Sequence, residues 1–251
     1  MKARFNLICA LFLMGSIGLS AADMIIKTKS KVIKADSITA NSEGVLTFKA
    51  GGATQQIKPG KYIYARIPKP KAVANADKKM KSGQYGAAIQ AYDKAYGKYK
   101  YLGWDVYCKL KKAVALAKMK KNKDAIKILK RIKKPVDPAK NREFNKIREI
   151  LTDLNIKEGN LSEAQSAMRS IGHTSNPKVL AKNNNKQAEI LLKNGKRKDA
   201  LLMYLRTVLL IDKKIRERKT ALKKVISMLK EDKNNKYLEF ENIMKKDYGS
   251  N

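Results

Sequence analysis

Four segments of the chain carry the same short pattern, and this self-similarity limits the possible folds more than any other feature. The pattern places an alanine five residues after a glycine or its substitute: Gly83 and Ala88, Lys120 and Ala125, Gly159 and Ala164, Gly195 and Ala200. The alanines are spaced by 37, 39 and 36 residues. A second small residue stands seven positions before each turn, at Ala76, Ala113, Thr152 and Ala188. Leu116 and Leu191 follow Ala113 and Ala188 by three, on the same face of a helix. Glycine tolerates a positive φ where one helix turns into the next. Small residues on both sides of the turn let the two helices approach closely. The pattern therefore predicts helix–turn–helix units that bury their apolar faces by stacking on their neighbours.

These segments resemble the tetratricopeptide (TPR) repeat, whose second half reads roughly G-[DN]-[YF]-x-x-A-I-x-x-[YF]-x-x-A. The first matches through Gly83, Tyr85, Ala88, Ile89, Tyr92 and Ala95. The third keeps Gly159, Asn160 and Ala164, with Met168 at an aromatic position, and the fourth keeps Gly195, Ala200, Leu201 and Tyr204. The second has Lys120 in place of the glycine. A degenerate fifth unit is expected from Thr220 to Tyr248, with Ala221, Leu222 and Val225 on one face and a turn at residues 231–235. A terminal repeat is atypical because it caps the stack. The resemblance covers residues 70–248 and implies a mainly α, TPR-like α-solenoid with a concave binding surface. In such repeats the first helix of each pair lines the groove. Lys81, Lys118, Lys157 and Lys193 each lie two residues before a turn position. The resemblance thus implies a ladder of lysines as candidate groove contacts, suited to an acidic peptide or a C-terminal carboxylate.

Upstream of the repeats the chain reads differently. Lys2 and Arg4 precede a mostly apolar run from Phe5 to Gly18, and Ser20-Ala21-Ala22 supplies small residues for cleavage. This is the pattern of a secretory signal peptide over residues 1–22, so an exported, periplasmic or envelope-associated protein is expected. The apolar run is short for a transmembrane span, and no later run is long enough, so no anchor is expected after cleavage. Residues 23–67 hold short β-branched runs punctuated by Gly51-Gly52 and Pro59-Gly60. They predict a small antiparallel β domain, an SH3/Sm-like barrel or a meander. The region also looks like the β module that opens some exported bacterial repeat proteins, although Ser30 and Ala35 stand where that pattern has glycines. Pro68 and Pro70 mark a stiff hinge over residues 68–72, and residues 73–251 follow a helical period.

Charge is the second constraint. The chain holds 56 Lys and Arg against 22 Asp and Glu, a formal net charge of +34. Loss of Lys2 and Arg4 with the signal would leave +32. Such an excess attracts polyanions in principle. Nucleic-acid sites interleave basic residues with stacking aromatics. Only residues 96–107 do so, with four tyrosines and Trp104 among lysines. These aromatics are expected to pack between adjacent units. The Asn183-Asn184-Asn185 run and the many lysines read as a compositional habit of the source.

Chemistry-bearing motifs are missing: no phosphate-binding loop, no H-E-x-x-H, no G-x-S-x-G and no C-x-x-C. His173, the sole histidine, falls in a turn between the third and fourth units. Cys108 stands alone once Cys9 leaves with the signal and is expected to be a buried apolar residue. Asp124, Glu163 and Asp199 sit just inside second helices, where acids favour the helix dipole. No enzyme, metal or cofactor is expected. The sequence favours a scaffold for protein or peptide partners, acidic ones included, with anionic envelope surfaces as a further possibility. The alternative is a charge-driven binder of polyanions, envelope components ahead of nucleic acid.

Overall fold

A computed structural model describes residues 24–133, 142–169 and 176–249. The signal segment, Pro135, Pro138 and His173 lie outside the described residues. The chain divides into two compact units.

The first unit comprises the described residues up to Lys71 together with Gly97–Trp104. Its strands are β1 (Met24–Lys27), β2 (Val32–Ala35), β3 (Ser37–Ala40), β4 (Leu46–Ala50), β5 (Ala53–Ile57) and β6 (Tyr64–Arg66). They pair antiparallel into two open three-stranded sheets, ordered β2-β1-β6 and β3-β4-β5. The pairing is not one continuous meander because the chain changes sheet at Asp36. Only that residue separates β2 from β3, and its N–H already donates to the Lys49 carbonyl of the second sheet at 2.8 Å. Ile26 sits opposite Ile33 and Ala65, while Ile38 sits opposite Phe48. Ile26, Ile38, Leu46, Phe48 and Ala65 are buried together with Leu102.

Leu102 belongs to the aromatic stretch, and its placement differs from the expectation. Tyr99, Tyr101 and Leu102 pack into the β core. The Trp104 indole N–H donates to the Ile67 carbonyl at 3.3 Å. Gly103 has φ +86°, and a Cβ there would stand 3.1 Å from the Ala65 carbonyl oxygen. Periodicity alone could not reveal this, because apolar aromatics suit a sheet face as well as a helix interface.

The second unit is Ala72–Tyr96 plus the described chain from Asp105 onward. Its helices are α1 (Lys71–Lys81), α2 (Tyr85–Tyr99), α3 (Asp105–Lys118), α4 (Asn122–Lys130), α5 (Arg142–Lys157), α6 (Leu161–Arg169), α7 (Pro177–Lys193), α8 (Arg197–Leu210), α9 (Arg216–Glu231) and α10 (Tyr237–Tyr248). Partners α3/α4, α5/α6, α7/α8 and α9/α10 pack as pairs. Each pair meets the next through α4–α5, α6–α7 and α8–α9, and through the first helices α3–α5, α5–α7 and α7–α9. The small positions explain the close pairing. Ala76, Ala113, Thr152 and Ala188, and Ala88, Ala125, Ala164 and Ala200, all have 0% exposure.

The five turns share one geometry. Gly83, Lys120, Gly159, Gly195 and Lys233 all have positive φ, between 51° and 76°. In each, the next residue's N–H reaches back five residues: Gln84 to Lys79, Lys121 to Leu116, Asn160 to Asn155, Lys196 to Leu191 and Asn234 to Leu229, at 2.9–3.0 Å. This is the Schellman closure of a helix. Lys233 thereby makes the last pair a fifth unit in register, with α9 starting one turn before Thr220. No residue of α10 is fully buried, as suits a cap.

Candidate functional site

Lys81, Lys118, Lys157 and Lys193 are the final residues of α1, α3, α5 and α7, and all are exposed. A cation at a helix C-terminus complements the helix dipole, so the position alone gives each lysine a structural role. Lys193 goes further: its ammonium donates to the Ile156 carbonyl of α5 at 2.8 Å, an oxygen that also accepts the Gly159 N–H at 3.3 Å. Lys81, Lys118 and Lys157 make no side-chain hydrogen bond or ion pair among the described residues. The fifth unit carries Glu231 at this position.

The residue two after each turn acts as a clamp in two of the units. Asn122 donates to Glu158 of the following unit at 2.9 Å. Arg197 reaches Asp232 at 2.8 Å, Glu231 at 3.0 Å and the Met228 carbonyl at 2.9 Å. Unit-to-unit contact is thus partly polar at these two junctions, while Tyr85 and Leu161 hold the same position in the first and third units.

A denser set of ion pairs joins α5 to α7. Glu149 and Asp153, one helical turn apart, meet Lys182 and Lys186, also one turn apart. The Lys186 ammonium lies 2.6 Å from Asp153 and donates to the Glu149 carbonyl at 3.2 Å. Lys186 is only 7% exposed, so its charge is carried by these oxygens. Asn184 and Asn185 are buried beside it. Asn185 donates to the Glu217 carbonyl of α9 at 2.9 Å.

The equivalent α7–α9 junction is different. In register, Glu149, Asp153, Lys182 and Lys186 become Asn185, Glu189, Thr220 and Lys224. No ion pair forms there among the described residues. Burial, then the charge of Asp153, hold the Glu189 carboxyl above the ordinary carboxylate range, against the pull of Lys186, Lys224 and Lys193. Alongside, Arg216, Lys219, Thr220, Lys223, Lys224 and Ser227 line a cleft of about 450 Å³ on α9.

Cys108, Tyr92, Tyr107 and Asp77 are engaged within the fold. Cys108 is 1% exposed, and burial, then Asp105, Asp77 and Asp93, push its thiol up to about 12, leaving it protonated and unreactive near neutrality. Tyr107 donates to both Asp77 carboxylate oxygens at 3.0 and 2.8 Å, and the buried Tyr92 hydroxyl donates to the same carboxylate. Burial, then the Asp77 bond, raise both phenols above their usual range. Among the described residues no group of three or more His, Cys, Asp or Glu could hold a metal ion. No helix among them is long and apolar enough to cross a membrane.

Paired helices, a repeated Schellman turn and small residues at the pair interface define a helical-repeat protein of TPR-like fold. No protein-family model matches the chain, and no curated protein matches it. Two crystal structures of MamA are similar to it. One has 19% identity and a TM-score of 0.51, covering 72% of this chain and 95% of that one. The other has 21% identity and a TM-score of 0.49, covering 68% and 96%. At such identity the first likeness speaks to the fold alone.

Proposed function

We propose that the protein is a non-enzymatic, exported scaffold that binds a protein or peptide partner in the periplasm or at the cell envelope. The observation that carries this reading is the stack itself: five register-equivalent units, joined in places by buried polar side chains such as Asn185 and Lys186. Stacked helix pairs offer an extended surface to a partner. The signal-like residues 1–22 supply the address. The unpaired Lys81, Lys118 and Lys157, one per unit, are the contacts the ladder reading assigns to an acidic partner. Lys193 is a weaker member, since its ammonium is already engaged. Residues 1–22 as signal, 23–67 as a β domain, 68–72 as hinge and 73–251 as the repeats complete the reading.

Pull-down from the native envelope at low and moderate salt, with partner identification, tests it. The wild-type chain should retain a defined protein, and Lys81→Ala/Lys118→Ala/Lys157→Ala should release it. Binding that collapses with a steep salt slope and does not discriminate among polyanions would instead make the chain a charge-driven binder.

A further inference from the structure

We propose that the basic stripe on α9 is a docking site for an acidic helical segment of a protein partner, one with carboxylates a helical turn apart on a single face. The proposal rests on the scaffold reading and specifies where a partner sits and what it must look like. Arg216, Lys219, Lys223 and Lys224 follow helical spacing, so they share one face, with Thr220 and Ser227 between them. None of the four forms an ion pair among the described residues. Arg216, Lys223 and Lys224 are exposed, and Lys219 lies over the Tyr248 ring at 5.1 Å.

The molecule itself contains a template for the missing partner. On α5, Glu149 and Asp153 stand one turn apart and neutralise Lys182 and Lys186, one turn apart on α7, in parallel register. Lys219 and Lys223 repeat that one-turn spacing on α9, yet neither forms an ion pair with a carboxylate among the described residues. Carboxylates one turn apart, such as α5 gives to Lys182 and Lys186, are what these two lysines lack. A helix presenting Glu or Asp at i and i+4 would supply them, and the adjacent cleft of about 450 Å³ gives its side chains room. Nucleic acid fits less well, because no aromatic side chain lines the cleft to stack a base.

The test uses the full chain and a labelled synthetic helical peptide with glutamates at i and i+4, followed by fluorescence anisotropy. A control peptide of equal composition spreads the same glutamates around the helix. The spaced peptide should bind more tightly than the control. Arg216→Glu/Lys223→Glu should weaken it by about tenfold or more, since two exposed attractions become repulsions. Arg216→Gln/Lys223→Gln should give a smaller loss, and circular dichroism melts of both variants should match wild type. Lys81→Glu/Lys118→Glu/Lys157→Glu should leave this peptide bound. Equal affinity for both peptides, or equal binding of duplex DNA, overturns the proposal. So does a peptide that ignores the α9 changes and responds to the ladder changes, an outcome that leaves the scaffold reading standing. Failure of both the peptide and the envelope pull-down would overturn the two together.

Discussion

The two junctions that flank α7 are built from the same positions and held by different means. On the α5 side, lysines and carboxylates one turn apart pair across the interface, and a buried lysine is fully engaged. On the α9 side, the same positions hold Asn185, Glu189, Thr220 and Lys224, and the contact is an amide on the Glu217 carbonyl. Ala188 is at 0% exposure in the first helix of this unit, and Ala200 at 0% in the second. Packing of small residues is therefore common to the stack, while electrostatics individualises each interface. The lesson is that a repeat can keep its backbone register while its polar contacts are rewritten unit by unit.

The largest test attacks what the junctions share. Ala188→Leu should destabilise the helical unit by about 2–3 kcal/mol through overpacking, read as a lower midpoint in chemical denaturation. Next comes the difference itself. Asp153→Ala should cost about 1–2 kcal/mol, because Lys186 keeps a buried charge with one carbonyl left to it, discounted for a carboxylate that is 48% exposed. Its register equivalent, Glu189→Gln, should be neutral or slightly stabilising near pH 7. That carboxyl is held above its ordinary range, so ionisation works against the fold. Equal losses in the two variants would erase the contrast between the junctions.

Smaller effects come from the turns. Lys120→Gly should stabilise by about 1 kcal/mol, because an L-residue there carries the left-handed backbone that glycine adopts freely. Gly159→Ala should destabilise by a similar amount in thermal melts. Last, the Arg218 hydrogen bond holds the Asp247 carboxyl below the ordinary carboxylate range. Its contribution is present above the unfolded-state carboxylate pKa and lost as pH falls through the folded one. Asp247→Asn should therefore flatten part of the acid-side decline in melting temperature. An unchanged acid limb would remove this bond from the stability of the α9–α10 cap.

Much of this was legible because it follows a period. Eight small residues marked both helices of four units, and all eight are buried. Lys120 was readable as a turn because its neighbours kept register. The lysine ladder was legible as a spacing but not as a set of bonds, since the Lys193 contact with Ile156 depends on how successive helices sit. The α5–α7 ion pairs escaped for the same reason: 149 with 182 and 153 with 186 form no pattern within one segment. The α9 stripe left a signal, four cations at helical spacing, that the net charge of the whole chain blurs. The aromatic stretch is split: Tyr99 and Tyr101 pack in the β core, whereas Tyr107 joins α3 to Asp77 of α1, because composition does not name a partner.

The return of Gly97–Trp104 to the β strands bears on how the chain acquires its structure. A core that needs Leu102 cannot close on residues 24–71 alone. Residues 72–96 must first be spanned, so part of this small unit's folding is a long-range closure with its entropic delay. A chain cut after Lys71 should expose Phe48 and Leu46 and aggregate, whereas one cut near Trp104 should keep the sheets. During synthesis, the segment that appears first is therefore completed only after a stretch of the helical repeat has already emerged.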